Sequence, residues 1–228
     1  MVMRDLAYAT LGFRQPGTFV EIGALDGHRI SNSLLYEKCF GWKGVLIEAS
    51  SLNYQRLIRR NERNLSHCVH SAVCAGQPRT VLIAKDGLGR VHGQVGMMSR
   101  SFVAKFHPKL LRGISSADSS LVERVPCKSM TAILADYSFV NATFLSLDVE
   151  GAEAEVLSAV DPTIFQVIMI EWSTNRTHNT EMTTLLERAG MRFHRHWKVG
   201  DVSEGAESRV YISPHYAAQL SLRGALPL

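Results

Sequence analysis

The stretch TFVEIGALDG, residues 18–27, decides the fold of this chain. Its first part, residues 18–24, is a short apolar and β-branched run that ends at glycine, which predicts a buried strand. The pattern E-x-G-x-x-x-G then runs from Glu21 to Gly27. Glycines after a strand let the backbone turn tightly and approach a ligand without an intervening Cβ. The stretch predicts a strand and a turn, and it leaves open whether that turn binds a ligand.

Strands and helices alternate along the rest of the chain. We predict further strands at residues 44–48, 67–74, 79–84, 143–148, 166–172, 191–199 and 208–213, and helices at residues 31–40, 51–63, 151–160 and 180–189. The last two strands leave no room for a helix between them, so they should pair antiparallel. Apolar strands that alternate with helices predict an α/β fold with a mainly parallel sheet covered on both faces.

The composition is that of a globular protein. Hydrophobic residues make up 46% of the 228 residues and charged residues 20%, which excludes a disordered chain and a disulfide-stapled miniprotein. We predict a single domain over residues 1–228, with an irregular loop or insertion at about 85–120. The net charge of +4 permits an anionic ligand or partner without requiring one.

The cellular compartment is predicted from three negative patterns. No signal peptide is visible at the start of the chain, and no apolar run approaches the ~20 residues that a membrane-spanning helix needs. The four cysteines are irregularly spaced and form no C-x-x-C pair, which predicts reduced thiols. We therefore expect a cytoplasmic protein.

Acidic residues stand at the carboxyl ends of the predicted strands, where ligands bind in parallel sheets. Glu48 ends the second strand, 25 residues after Gly23. This is near the ~20-residue offset at which a carboxylate accepts hydrogen bonds from ribose hydroxyls. The glycines and the acid together favour an adenosine-type cofactor over a glutamate that merely faces solvent.

A second group of carboxylates follows a later strand. The stretch DVEGAE, residues 148–153, holds three carboxylates at the end of a strand and the start of a helix, and Glu171 lies at the end of the next strand. Such residues can stabilise a helix N-terminus electrostatically. They can also hold a polar ligand group, a cation or a substrate proton, and both interpretations stay open.

Four stretches in this order resemble the FkbM family of S-adenosylmethionine-dependent methyltransferases. They are FVEIGALDG (19–27), SNS (31–33), GWKGVLIE (41–48) and LDVEGAE (147–153), of which DVEGAE is the most specific. The resemblance runs from about residue 18 to about residue 172. It implies a Rossmann-like three-layer sandwich with a mostly parallel sheet and an antiparallel C-terminal strand. It also implies S-adenosylmethionine as cofactor and methyl transfer, mostly to a hydroxyl oxygen of a sugar or small metabolite.

The resemblance further implies roles for individual residues. The cofactor site would contain Glu21, Gly23, Ala24 and Gly27 in the first loop, Glu48 and Ala49 at the ribose, Ser71 and Ala72 at the adenine, and Asp148 near the methionine end or the substrate. Leu25 stands where many family members carry Asn, which would change the contacts to the methionine moiety.

The predicted chemistry needs a proton acceptor. An alcohol must be aligned with the activated methyl group and must lose its proton. Candidate bases are Asp148, Glu150, Glu171, His28 and His178. We predict Asp148 and Glu171 as the catalytic pair, because strand ends hold side chains more rigidly than loops do. A divalent cation such as Mg²⁺ bridging these two is an alternative, since hard cations bind carboxylates.

Other functions remain open at this point. A non-catalytic Rossmann-like binding domain fits the same pattern, and an NAD-dependent oxidoreductase also fits Glu48. The oxidoreductase is disfavoured because the chain has no G-x-G-x-x-G and no Y-x-x-x-K pair. We expect a small-molecule or glycan substrate and no nucleic acid.

One helix carries a row of arginines. Arg56, Arg59, Arg60 and Arg63 are spaced to share one helical face. Such a row can contact phosphates or an acidic partner, but it is more often a solvated face.

Overall fold

The computed structural model describes residues 16–85, 91–112, 119–172, 175–198 and 207–222. Ten strands lie in this part of the chain: β1 (Thr18–Ile22), β2 (Lys43–Glu48), β3 (Ser66–His70), β4 (Ala72–Val73), β5 (Arg79–Ala84), β6 (Val122–Lys128), β7 (Ala142–Leu147), β8 (Phe165–Trp172), β9 (Arg192–Lys198) and β10 (Glu207–Ile212). Seven of them form the main sheet in the order β3-β2-β1-β7-β8-β10-β9. Strand β10 is antiparallel to both of its neighbours, and the other pairings are parallel. This confirms the predicted Rossmann-like sheet.

The described helices follow the strands as predicted, with additions. They are α1 (Leu34–Phe40), α2 (Ser51–Arg60), α3 (Arg100–Phe106), α4 (Met130–Asp136), α5 (Glu153–Ser158), α6 (Arg176–Arg188) and α7 (Pro214–Leu222), with 3-10 turns at Pro108–Arg112 and Pro162–Ile164. Helix α2 begins where the Ser50 side chain accepts a hydrogen bond from the backbone of Asn53. It ends at Asn61, which is left-handed, so the helix is shorter than predicted.

Both faces of the sheet are buried, because side chains alternate along each strand. On β2, Val45 and Ile47 pack into one core while Leu46 packs into the other. Helices α4, α5 and α6 contribute to the first core, and α1, α2 and α7 contribute to the second. The three-layer prediction is thereby confirmed.

A small second sheet differs from the prediction. The predicted strand at 67–74 is divided at Ser71, and its second part, β4, belongs to a three-stranded sheet of order β4-β6-β5. Strand β5 pairs antiparallel with β6 rather than with its predecessor. Strand β6 was not predicted, although its alternating burial is typical of a half-buried strand.

The prediction of four reduced thiols is wrong for two cysteines. Cys74 follows β4 and Cys127 lies in β6, and because these strands pair in parallel the two residues form a disulfide with their Cα atoms 5.9 Å apart. They are 53 residues apart in the chain, so no local spacing could reveal the pairing. Cys39 and Cys68 are free.

The compartment prediction thereby loses one of its supports, since disulfides are typical of oxidising compartments. Within the described ranges, no helix combines the length and the apolar character that crossing a bilayer requires.

Candidate active site

A cavity of about 980 Å³, including its open mouth, lies at the carboxyl edge of the main sheet. The loops after β1, β2 and β7 form its walls, together with residues 92–94 from the irregular stretch. Its polar lining consists of Glu21, Asn32, Glu48, Asn53, Ser71, His92, Gln94, Ser146, Asp148 and Glu150. Its place at the carboxyl ends of parallel strands is where ligands bind in sheets of this kind.

The loop after β1 connects the ends of three neighbouring strands. Gly23 has φ of 82°, and a Cβ at this position would lie 1.8 Å from the carbonyl oxygen of Asp148, so only glycine fits. Its backbone N–H donates to the carbonyl of Ile47 at 3.0 Å. Leu25, with φ of 50°, donates its N–H to Oε2 of Glu48 at 2.8 Å. The glycine is therefore required by contacts within the protein itself.

Glu48 lies at the end of β2 and lines the cavity. Its Oε1 accepts a hydrogen bond of 2.7 Å from the backbone of Ser50. Burial raises its pKa to about 7, against the two backbone hydrogen bonds, which favour the ionised form. Each carboxylate oxygen can accept a further hydrogen bond, so Glu48 retains capacity for two hydroxyl donors.

Glu21 is buried in the cavity wall and is already hydrogen-bonded. Its Oε2 accepts from the hydroxyls of Ser31, at 2.7 Å, and Ser33, while its Oε1 accepts from the backbone of Asn32 at 2.7 Å. The side-chain amide of Asn32 donates a hydrogen bond of 2.9 Å to the hydroxyl of Ser146. Glu21 thereby ties the entry of α1 to the end of β1.

Arg63 completes this region, which we call the arginine–glutamate network and define as Glu21, Glu37 and Arg63. Arg63 Nε donates to Oε2 of Glu37 at 2.7 Å, and its Nη1 lies 3.9 Å from Oε2 of Glu21. Nη1 also donates to the carbonyl of Gly27 at 2.8 Å. All three side chains of the network are buried. Arg63 thus lies behind the site, and the predicted row of four exposed arginines is wrong at this residue.

On the other side of the cavity, Asp148, Glu150 and Glu171 form a group that we call the acidic cluster. Carboxylate oxygens from the three residues lie within 4.8 Å of one another. Among the described residues no lysine, arginine or histidine forms an ion pair with any of them. Asp148 is exposed and lines the cavity, and protein atoms closely surround its carboxyl group.

The acidic cluster shifts the pKa values of its members. Burial and the neighbouring carboxylates raise the pKa of Glu150 to about 8 and that of Glu171 to about 10. Burial also raises the pKa of Asp148, but the hydrogen bond from Glu171 favours its ionised form and limits the value to about 6. Of this hydrogen-bonded pair, Asp148 is therefore the more acidic member, and Glu171 is the member that keeps its proton to higher pH.

The third carboxylate of DVEGAE has a different setting. Glu153 is buried and accepts hydrogen bonds from the backbone of Val149, at 3.0 Å, and Gly151, at 3.1 Å. His178 Nε2 lies 2.7 Å from its other oxygen, and this contact raises the pKa of His178. Neither His178 nor His28 lines the cavity.

The model of one protein family matches this chain. It is described as the methyltransferase FkbM domain and covers residues 21–193, which is more than half of the chain. This chain belongs to the FkbM methyltransferase domain family. The resemblance found in the sequence is confirmed, and S-adenosylmethionine is the cofactor expected of this family.

Solved structures of other methyltransferases share the fold. The METTL16 MTase domain is similar with a TM-score of 0.53 at 9% identity, over 92% of this chain and 65% of that domain. The human methyltransferase 10 domain containing protein is similar with a TM-score of 0.50 at 10% identity, over 93% of this chain and 82% of that one. Identities this low show the fold alone. Among curated protein sequences, none matches this FkbM methyltransferase.

The structure brings most of the predicted site residues of the FkbM methyltransferase together. Those that line the cavity are Glu21, Gly23, Glu48, Ala49, Ser71, Ala72 and Asp148. Ala24 is buried beside it, and Gly27 lies under α2, where an added Cβ would lie 2.4 Å from Leu57. Glu171 does not line the cavity, but it is hydrogen-bonded to Asp148, which does.

Sequence reasoning missed several lining residues. His92, Gly93 and Gln94 come from the stretch predicted as an irregular loop, and Gln94 forms a β-bridge with Ile83. The same segment packs against the loop after β7, because a Cβ on Gly151 would lie 2.7 Å from the carbonyl oxygen of Met97. The length of the irregular stretch was the available signal, since long loops in compact domains are often functional.

Backbone strain also marks the cavity. Leu25, Ile30 and Glu150 have φ between 50° and 57°, and all three line it. A left-handed conformation costs a β-branched or bulky residue on the order of 1–3 kcal/mol and concentrates at functional sites.

Proposed function

We propose that this FkbM methyltransferase is a single catalytic domain that methylates a hydroxyl oxygen of a sugar or another small metabolite. One observation carries the proposal. An ionisable carboxylate, Asp148, opens into the same cavity as Glu48, and Glu171 donates a hydrogen bond that keeps Asp148 ionised near neutral pH. Asp148 can act as a base, and Glu48 can accept hydrogen bonds from ribose hydroxyls at the same edge of the sheet. This arrangement suits methyl transfer from an adenosine-type cofactor to an alcohol.

The residues present fit S-adenosylmethionine. Glu48 has free acceptor capacity for the two ribose hydroxyls, and Ala49, Ser71 and Ala72 provide a small-residue wall for the adenine. We assign the loop Gly23–Gly27, with Glu21 and Ala24, to shaping the methionine end. The bound cofactor supplies an activated methyl group on a sulfonium sulfur.

The protein then has two tasks. It aligns the acceptor oxygen with the S–CH3 bond and keeps water out of the cavity. Asp148 would accept the proton that the acceptor hydroxyl loses when its oxygen takes the methyl group from the sulfonium sulfur, and Glu171 would stabilise this base through its hydrogen bond. Proton acceptance of this kind contributes typically 10²–10⁴-fold to a rate.

Calorimetric titration tests the cofactor assignment. We expect the purified chain to bind S-adenosylmethionine and S-adenosylhomocysteine in the micromolar range and not to bind NAD. Glu48→Ala should weaken this affinity at least about tenfold, because the ribose loses a charged acceptor. Glu123→Gln is the matched control, since Glu123 lies near Glu48 but does not line the cavity. Unchanged affinity in Glu48→Ala would contradict the assignment, and binding of NAD alone would favour an oxidoreductase.

A second set of measurements separates catalysis from mere binding. Cofactor binding without methylation of any acceptor in a sugar and metabolite screen would favour the non-catalytic binding domain. The acidic cluster offers the oxygen atoms that Mg²⁺ prefers, so the screen is run with Mg²⁺ and with EDTA. Activity that is equal in both conditions would support Asp148 as the base without a cation.

A further inference from the structure

A groove lined by four arginines lies beside the cofactor cavity. Arg29 comes from the loop after β1, and Arg56, Arg59 and Arg60 come from α2. A single carboxylate lines the groove with them. The charge of its lining is therefore strongly positive, which favours an anionic ligand.

That carboxylate, Asp26, is occupied by contacts within the protein. It accepts backbone hydrogen bonds from His28 at 3.1 Å and from Arg29 at 2.8 Å. Its other oxygen lies 3.3 Å from Nε of Arg60. Asp26 also lies 3.8 Å from Nε of Arg29, and Glu62 lies 3.6 Å from Nη1 of Arg60. The four arginines still outnumber these two carboxylates, so the groove keeps a net positive charge.

Arg59 differs from its neighbours on the helix. It is exposed, and it forms no hydrogen bond or ion pair with another residue that the structure describes. A guanidinium group presents a planar fork of donors that matches the oxygens of a phosphate. The groove therefore holds donors of the kind that phosphate recognition uses.

The groove and the cavity share three wall residues, Leu25, Ile30 and Asn53. Asn53 is buried, and its Nδ2 makes no hydrogen bond with any described residue. This amide group can therefore donate a hydrogen bond to a ligand at the shared wall. Ile30 is 83% exposed and has φ of 57°, an uncommon position and conformation for an apolar β-branched side chain. Both features point to a ligand that contacts this wall.

We propose that the arginine groove binds the phosphate group of a phosphorylated small-molecule acceptor, such as a sugar phosphate. The role as an acceptor site rests on the proposed methyltransferase function, whereas phosphate binding does not. The shared wall places such a phosphate next to the cavity in which the hydroxyl would react.

The test is calorimetric titration of the full chain with inorganic pyrophosphate in the absence of Mg²⁺. Arg29→Glu and Arg59→Glu change two exposed arginines on different elements of the groove. Arg124→Glu is the matched control, because Arg124 is exposed on β6, outside the groove, and the change in net charge is the same. Circular dichroism and S-adenosylmethionine titration check that each variant is folded.

We expect pyrophosphate to bind the wild-type chain and Arg124→Glu equally. Each groove variant should bind it about tenfold more weakly or worse, as expected when a charge-assisted hydrogen bond is replaced by repulsion. Equal affinity in all variants, or no binding at millimolar concentration, would overturn the proposal. Much tighter and strongly salt-dependent binding of a single-stranded RNA by the same arginines would also overturn it in favour of a nucleic-acid surface.

The two proposals fail separately. A wild-type chain that binds pyrophosphate through the groove but does not bind S-adenosylmethionine would contradict the proposed function while confirming the phosphate site. A chain that binds S-adenosylmethionine but shows no groove-dependent pyrophosphate binding would contradict only the phosphate site.

Discussion

The arginine–glutamate network and the acidic cluster each contribute carboxylates to one cavity, Glu21 from the network and Asp148 and Glu150 from the cluster. The glutamates of the network are buried, whereas the carboxylates of the cluster are partly or largely exposed. In the network, Arg63 neutralises its glutamates, and surrounding hydroxyl and N–H groups occupy their oxygens. In the cluster, no cation among the described residues compensates Asp148, Glu150 and Glu171. The difference separates the acids that stabilise the fold from the acids that are available for chemistry.

The pKa directions express the same contrast. Burial acts to raise the pKa of Glu37, but hydrogen bonds from Ser66 and Arg63 outweigh it and leave this pKa below its usual range. In the acidic cluster, burial and like charges raise the pKa of Glu171 to about 10. A fully partnered carboxylate is stable as an anion, whereas an uncompensated one keeps or exchanges a proton.

The largest expected effect is on turnover. Asp148→Asn should lower kcat by about 10²–10⁴-fold, because the proton acceptor is lost, while the affinity for S-adenosylmethionine changes little. Wild-type kcat should rise with pH through about 6 as Asp148 ionises. Steady-state kinetics and calorimetry measure the two effects, with the exposed Asp136→Asn as control. Equal losses of kcat and cofactor affinity would make Asp148 a cofactor ligand instead.

The next effect is on stability. Arg63→Met should cost about 3–5 kcal/mol in the free energy of unfolding, because it leaves Glu21 and Glu37 buried without their cation. Urea denaturation measures this cost. Arg59→Met removes an exposed arginine and should change the free energy by no more than about 0.5 kcal/mol. A cost below about 1 kcal/mol for Arg63→Met would show that the network does not hold the loop.

The pH dependence of stability should separate Glu37 from Glu150. Glu37 has a lowered pKa, so its contribution is present above the unfolded value and is lost as the pH falls. Glu150 has a pKa raised to about 8, so its contribution is present at acidic pH and is lost as the pH rises toward 8. Glu37→Gln should therefore lower the stability above about pH 4.5, and Glu150→Gln should raise the stability as the pH approaches 8, as measured by thermal unfolding between pH 3 and 9. Changes of the same sign in both variants would remove the contrast between the two regions.

The smallest expected effect comes from Glu171. Because it is protonated at neutral pH, Glu171→Gln replaces a neutral side chain by another of similar shape that still donates a hydrogen bond to Asp148. We expect a change in the free energy of unfolding within about 0.5 kcal/mol at pH 7. A loss comparable to that of Arg63→Met would mean that Glu171 is ionised and paired.

Predictions from local patterns succeeded where residues close in the sequence determine the structure. The strands around Gly23, Glu48 and Asp148 were located to within about two residues, because fully apolar runs that end in glycine or an acid are typical of parallel strands. Their carboxyl ends meet at one edge in any parallel sheet, so the gathering of these residues around one cavity followed. Pairings between segments far apart in the chain could not be predicted from such local patterns.

The sequence by itself determined the α/β class, the family, the strand ends and most of the residues that line the cavity, because each depends on short-range periodicity or on a local motif. Only the tertiary structure decided that Arg63 is buried in the network, that Cys74 bonds to Cys127, and that residues 92–94 line the cavity. It also decided which carboxylates have a cation beside them. These outcomes depend on contacts between segments far apart in the chain, where burial and charge compensation arise only after the strands have packed.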